Sequence, residues 1–142
     1  MLLMMNLELA QKLVVMAIEM ANGDFKRPIC VAVCDQYGFL AAFSRMDGTP
    51  VRSIRISQGK AYTSARMGVN TDSFLERLHR ENMPAGYFCD AELTGLPGGA
   101  VLKDSAGNLV GGIGISGLAA QEDQVIANRM AEMVKKVKFQ NN

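Results

Sequence analysis

The chain predicts an α+β fold, an antiparallel sheet covered by helices. Three observations predict it. Strand-like runs come in two pairs, each joined by a short turn. Helical runs come in blocks and do not alternate with single strands. The one motif that would argue for a parallel α/β unit lacks its second half. Gly112, Gly114 and Gly117 read as G-x-G-x-x-G between a strand-like run and a helical run. A dinucleotide-binding unit needs a further strand after that helix, with an acidic residue about 20 positions on. Here the helical pattern runs to about Lys138 of 142 residues, so no βαβ unit closes. The glycines must serve close strand packing, a backbone-lined pocket or a subunit contact.

Asn6 is the expected N-cap of the first helix, in which Leu7, Ala10, Leu13, Val14, Ala17, Ile18 and Ala21 recur at helical spacing. Gly23 is its stop signal, which places the end near Ala21. Ile29 to Cys34 is apolar without alternation, as in a central strand buried on both faces. Asp35-Gln36-Tyr37-Gly38 turns the chain, and Phe39 to Arg45 returns as the second strand. Met46 to Pro50 is a loop, followed by a helix from Val51 to Met67. One stripe of that helix is small (Ser57, Ala61, Ser64, Ala65), which lets a neighbouring backbone approach closely. Thr71 or Asp72 caps a short helix through about His79, and Glu81 to Gly95 reads as irregular. Ala100 to Leu102 and Leu109 to Ile115 form a second hairpin around Lys103 to Asn108. The last helix starts near Ala119 to Gln121. Its apolar stripe is Ile126, Met130, Met133, Val134 and Val137, with Lys135, Lys136 and Lys138 at its C-terminal end.

Length and composition are those of one domain able to bury a core, with nearly half its residues apolar and a fifth charged. A net charge of +1 without a dense basic run argues against nucleic acid as a partner. The N-terminus lacks the basic region and cleavage site of a signal peptide, and no run is long enough to span a bilayer. A soluble cytoplasmic protein is expected. Cys30 and Cys34 lie ~13 Å apart if extended, taking ~3.3 Å per residue, too far for a disulfide. With Cys89 and a single histidine they make no zinc pattern, and reduced, mostly buried thiols are expected.

Several segments together resemble one family: Val31-Ala32-Val33-Cys34-Asp35-Gln36-Tyr37-Gly38, Arg45-Met46-Asp47-Gly48, Lys60-Ala61, Pro97-Gly98-Gly99, and Gly112 to Gly117 with Glu122-Asp123. From about Leu7 to Val137 the chain resembles the GlcG/HbpS-like family, which also includes the C-terminal domain of PduO-type cobalamin adenosyltransferases. The resemblance implies a profilin-like fold with a five-stranded antiparallel sheet flanked by helices. Four strands are legible directly; the fifth is expected between Phe88 and Leu93 or in the bend before Gly98. It also implies a homo-oligomer and a small-molecule ligand, haem or a cobalamin, held for delivery or protection. An enzyme acting on haem or a small oxoacid, and a non-catalytic accessory or structural oligomer, are the alternatives.

The candidate ligand-binding residues are Arg45, Lys60, Gly98, Gly99, Ser116, Gly117 and Asp123. Glycine-rich strand ends and a helix N-terminus can present backbone N–H groups to an anion. Arg45, Arg52, Arg55, Lys60 and Arg66 are available to pair with one, or form a solvated helix face. An ion pair of Arg45 with Asp47 or Asp35 is the simplest structural alternative. Asp123 in the first turn of the last helix is a capping group or a polar contact. His79 is the only imidazole for axial haem ligation, but no family motif falls on it. No metal site is expected, and no catalytic constellation stands out.

Overall fold

The computed structural model describes residues 4–137. Helix α1 (Leu7–Met20) is capped as expected: Asn6 Oδ1 accepts from Leu9 N at 2.8 Å. The α-helix ends at Met20, beside the expected Ala21, but Gly23 does not end the helical path. The chain widens into a π-helical turn, Ala21–Phe25, which closes where Lys26 N donates to Ala21 O at 2.7 Å. Lys26 takes the left-handed conformation (φ 56°) and Pro28 follows two residues on, so the stop lies three residues beyond the glycine.

Strands β1 (Cys30–Asp35) and β2 (Leu40–Arg45) form the first hairpin, and β3 (Gly99–Lys103) and β4 (Leu109–Ser116) the second. The hairpins join through antiparallel β1 and β4, giving the order β2-β1-β4-β3. β1 and β4 are thus central and almost wholly buried, which explains why neither shows polar alternation.

The described residues hold a sheet of four strands, and the expected fifth does not form. A 3-10 turn at Ala85–Phe88 runs into the start of the Phe88 to Leu93 segment proposed for it, and Cys89 adopts φ 59°. Side chains then take its backbone donors. Glu92 N donates to Asp90 Oδ1, Thr94 N to Thr63 Oγ1 and Leu96 N to Thr94 Oγ1. Such local bonds compete with a ladder and leave no extended edge to pair.

The two faces of the sheet differ in residue size. Val31 and Val33 of β1 and Ile113 and Ile115 of β4 point into the main core with α1 and α4 (Ala120–Lys135). The other face presents Cys30, Ala32 and Cys34 opposite Ser116, Gly114 and Gly112, and α2 (Arg52–Met67) lies on it. The small stripe of α2 meets that glycine face backbone to backbone. A Cβ on Gly114 would collide with Ser57 O and sit 2.6 Å from Ala61 N; one on Gly112 would collide with Ala61 O. Gly112 and Gly114 of the G-x-G-x-x-G run therefore serve close packing of the strand against α2, while Gly117 lies beyond β4 with φ 135°. Helix α3 (Thr71–Arg80) follows, but neither Thr71 nor Asp72 is its N-cap. Asn70 takes that position, and its Oδ1 accepts from Val101 N at 3.0 Å, while Thr71 Oγ1 is engaged by Gly99 N. Lys138, expected at the last helix's end, lies outside the described residues.

Gly114→Ala is expected to destabilise the fold by ~3 kcal/mol or more, the upper end for overpacking, because the atom it strikes is backbone. Gly23→Ala has open space around its Cβ and should be close to neutral. Urea unfolding of both variants reads the difference, and a mild Gly114→Ala would refute the close-contact account.

Candidate functional site

Most of the residues selected from the sequence do converge. Lys60 leaves the buried side of α2 and reaches the end of the sheet. There Nζ donates to Ile115 O at 2.7 Å and to Asp123 Oδ2 at 3.2 Å. Both side chains are 3% exposed. Asp123 Oδ1 accepts from Leu118 N at 3.1 Å, so the carboxylate also ties down the first turn of α4. Since α2 and α4 cover opposite faces, this pair bridges the two helical layers. Gly98 makes the passage possible. It adopts φ 125°, and a Cβ there would lie 2.6 Å from Lys60 Nζ and 2.7 Å from Ile115 O.

The surrounding polar groups are satisfied within the fold. Gly98 N donates to Gln124 Oε1 at 2.6 Å and Gly99 N to Thr71 Oγ1 at 2.8 Å. Gln124 Nε2 returns a bond to Gly99 O at 2.9 Å. Ser116 Oγ donates to Ser53 Oγ at 3.1 Å, and Gly117 packs against Pro28 and Ile29. Arg45 is not part of this cluster. It lies on the edge strand and donates to Thr49 O at 3.2 Å through Nη2. It forms no ion pair with Asp47 or Asp35.

Burial dominates the electrostatics of the pair. It raises the Asp123 carboxyl from 3.8 to about 6 against the opposing pull of Lys60, and lowers the Lys60 ammonium against the pull of Asp123. Desolvation thus exceeds the mutual attraction, as is common for buried ion pairs.

Open space lies on the other side of α2. A groove of about 670 Å³ runs between α2, the start of β2 and the Ala91–Thr94 segment. It exists because β2 is only partly covered. Phe39 and Leu40 stand 70% and 53% exposed along it. Ile56, Ala61 and Leu93 add apolar wall; Arg55, Gln58, Tyr62, Glu92 and Thr94 add polar groups. Arg55 is exposed and has no ion-pair partner among the described residues. The far wall is strapped to α2 by Tyr62 Oη donating to Asp90 Oδ2 at 2.5 Å and by the Thr63–Thr94 bond. Cys34 contributes a thiol that donates to Ala61 O at 3.3 Å, with its pKa pushed up to about 12 by burial. Burial thus disfavours the thiolate form that a nucleophile or metal ligand requires.

Gly59 sits in the groove wall within α2. A Cβ there would meet only ordinary contacts, Thr94 Cγ2 at 3.6 Å and Glu92 O at 3.7 Å. Packing does not require glycine, which costs a helix interior ~1 kcal/mol relative to alanine. Sequence reasoning missed this groove. The signal available was Arg55 and Gly59 in one helix opposite an apolar Phe39-Leu40 pair, but their adjacency depends on the tertiary fold. His79 lies exposed on α3 and does not line the groove. Among the described residues no cluster of three potential metal ligands forms, and no helix is long and apolar enough to cross a membrane.

A four-stranded antiparallel sheet between helical layers, with a lateral groove beside an edge strand, defines the class of domain. The chain belongs to the HbpS-like family, described as haem degrading protein HbpS-like, which matches residues 5–132. Solved structures agree. A double mutant of Streptomyces reticuli HbpS superposes with a TM-score of 0.82 at 27% identity, covering 92% of this chain and 87% of that one. Klebsiella pneumoniae protein ORFY gives 0.83 at 20% identity over 97% and 95% of the two chains. The PduOC:haem complex gives 0.80 at 23% over 92% and 94%. At the identities of the last two, the likeness is one of fold. No curated protein sequence matches the chain.

Lys60→Met leaves Asp123 buried without its partner and is expected to cost ~3–5 kcal/mol, much of it recovered in the Lys60→Met/Asp123→Asn double variant. A double variant no more stable than Lys60→Met would overturn the pairing. The raised Asp123 pKa also sets a pH dependence. The native state keeps a proton that the unfolded chain releases, so this group's contribution is complete below 3.8 and is lost as pH rises through about 6. Denaturation across that interval should show stability falling with pH relative to Asp123→Asn. Parallel curves would exclude the shift.

Proposed function

We propose that this protein binds a planar, largely apolar ligand bearing carboxylates in the groove beside α2, and that haem is that ligand. The observation that carries the reading is an apolar trough of suitable size with a guanidinium that has no ion-pair partner among the described residues. Its volume falls within the roughly 300–1,000 Å³ of small-molecule sites, and Phe39, Leu40, Ile56 and Leu93 offer apolar contact to a ring face. Arg55 suits a propionate, which a guanidinium binds through two parallel hydrogen bonds. Family membership favours a haem-related role, and the PduOC:haem complex is a haem-bound example of the same fold.

The fit is to the macrocycle and its carboxylates. No histidine or methionine lines the groove, and the Cys34 thiol is held protonated. Lys60, Asp123, Gly98 and Gly99 serve this reading indirectly, by fixing α2 as the rigid wall from which Arg55 and Gly59 face the ligand. Cobalamin would need more room than the groove offers without displacing the strapped Ala91–Thr94 wall. The role is binding, for delivery or protection.

Absorbance titration with haem should give a saturable one-to-one change in the Soret band; purely non-saturable uptake would sink the reading. Gly59→Leu separates binding from folding. It should raise stability by up to ~1 kcal/mol, as a better helix former, while weakening haem binding by about tenfold or more by filling the groove. Unchanged affinity would place the ligand elsewhere.

A further inference from the structure

Protein-bound haem iron is held by an imidazole nitrogen, a thiolate or thioether sulfur, or a phenolate oxygen. The groove supplies none of these in usable form. Cys34 keeps its proton and spends it on Ala61 O. Tyr62 spends its hydroxyl proton on Asp90, and that hydrogen bond raises the phenol pKa further, so a phenolate is not at hand. Thr94 Oγ1 is a neutral hydroxyl already accepting from Leu96 N. Glu92 is an exposed residue of the groove wall. What the groove does supply is indifferent to a metal: the Phe39 and Leu40 side chains and the Arg55 guanidinium.

We infer that the groove recognises tetrapyrroles as a class, by ring faces and carboxylates, and that iron contributes little to affinity. Metal-free porphyrin is then as good a ligand as haem. Binding energy comes from removing the macrocycle's faces from water and from the carboxylate–guanidinium contact. Both are the same with or without iron. This inference rests on the tetrapyrrole reading of the groove given above.

The test is a paired titration of the full chain with ferric haem, by absorbance, and with metal-free protoporphyrin, by its fluorescence. Two one-site curves with Kd values within about threefold are expected, since a side-chain bond to iron would separate them by at least about tenfold. Arg55→Ala, on an exposed helix surface, should weaken both by the same factor. If haem binds tightly and protoporphyrin does not, iron ligation operates and the inference falls while the binding reading stands. If Glu92→Gln loses haem alone, Glu92 is the iron ligand and the inference falls in the same way. If neither compound saturates, the binding reading itself fails, and the inference with it.

Discussion

How closely α2 lies against the sheet governs the rest of the structure. Gly112 and Gly114 on β4 face Ser57, Ala61 and Ser64 on α2, and no Cβ fits between the strand and the helix backbone. At ordinary helix-on-sheet spacing the faces would be separated by interdigitating side chains. Here the contact is backbone on backbone, and the helix has little freedom to slide or roll. The opposite face of the sheet works in the usual way, with Val31, Val33, Ile113 and Ile115 filling the space under α1 and α4. One face therefore supplies apolar volume and the other supplies a fixed helix.

The Lys60–Asp123 pair depends on that closeness. From a more distant helix the lysine would end in the core; from this one it reaches the strand end, where Gly98 leaves a gap. Every polar atom around the pair has a partner: Ile115 O, Leu118 N, Gln124 and Thr71 complete the network. Burial still shifts both groups toward neutrality, so the pair is a costly way to hold two helices. What it supplies is a directional link between layers that apolar packing, being non-directional, does not provide.

The same placement of α2 leaves β2 half bare. The helix covers β4 and β1, and the edge strand beyond them keeps Phe39 and Leu40 in solvent. A short segment strapped to α2 through Asp90 and Thr94 closes the third side. The groove is thus a by-product of how a narrow helix covers a four-stranded sheet. It is lined by the solvent side of the helix whose other side is locked. A ligand there would rest on a wall that cannot give, and this favours binding by shape over adjustment.

Much of the fold was legible in the residues. Asn6 as a cap, two hairpins, the all-apolar central strand and the small stripe of α2 each follow from local chemistry, and the family resemblance agreed with them. The glycines of β4 could be recognised as meaningful but not assigned, because strand packing and anion binding use glycine for the same reason, close backbone approach. The fifth strand was expected where Asp90 and Thr94 side chains capture the backbone instead, a competition decided by Thr63 and Tyr62 from a distant helix. Of the residues selected for a site, Lys60, Gly98, Gly99, Ser116, Gly117 and Asp123 gather at one end of the sheet, while Arg45 stands apart on its edge. The sequence by itself determined which segments are helix and strand and which faces are small, because those depend on neighbours a few positions away. Only the tertiary structure decided that the basic residues of α2 divide, Lys60 inward to an acid on another layer and Arg55 outward to an open groove. That division depends on how the helix is rotated against the sheet, which contacts between residues distant in the chain set.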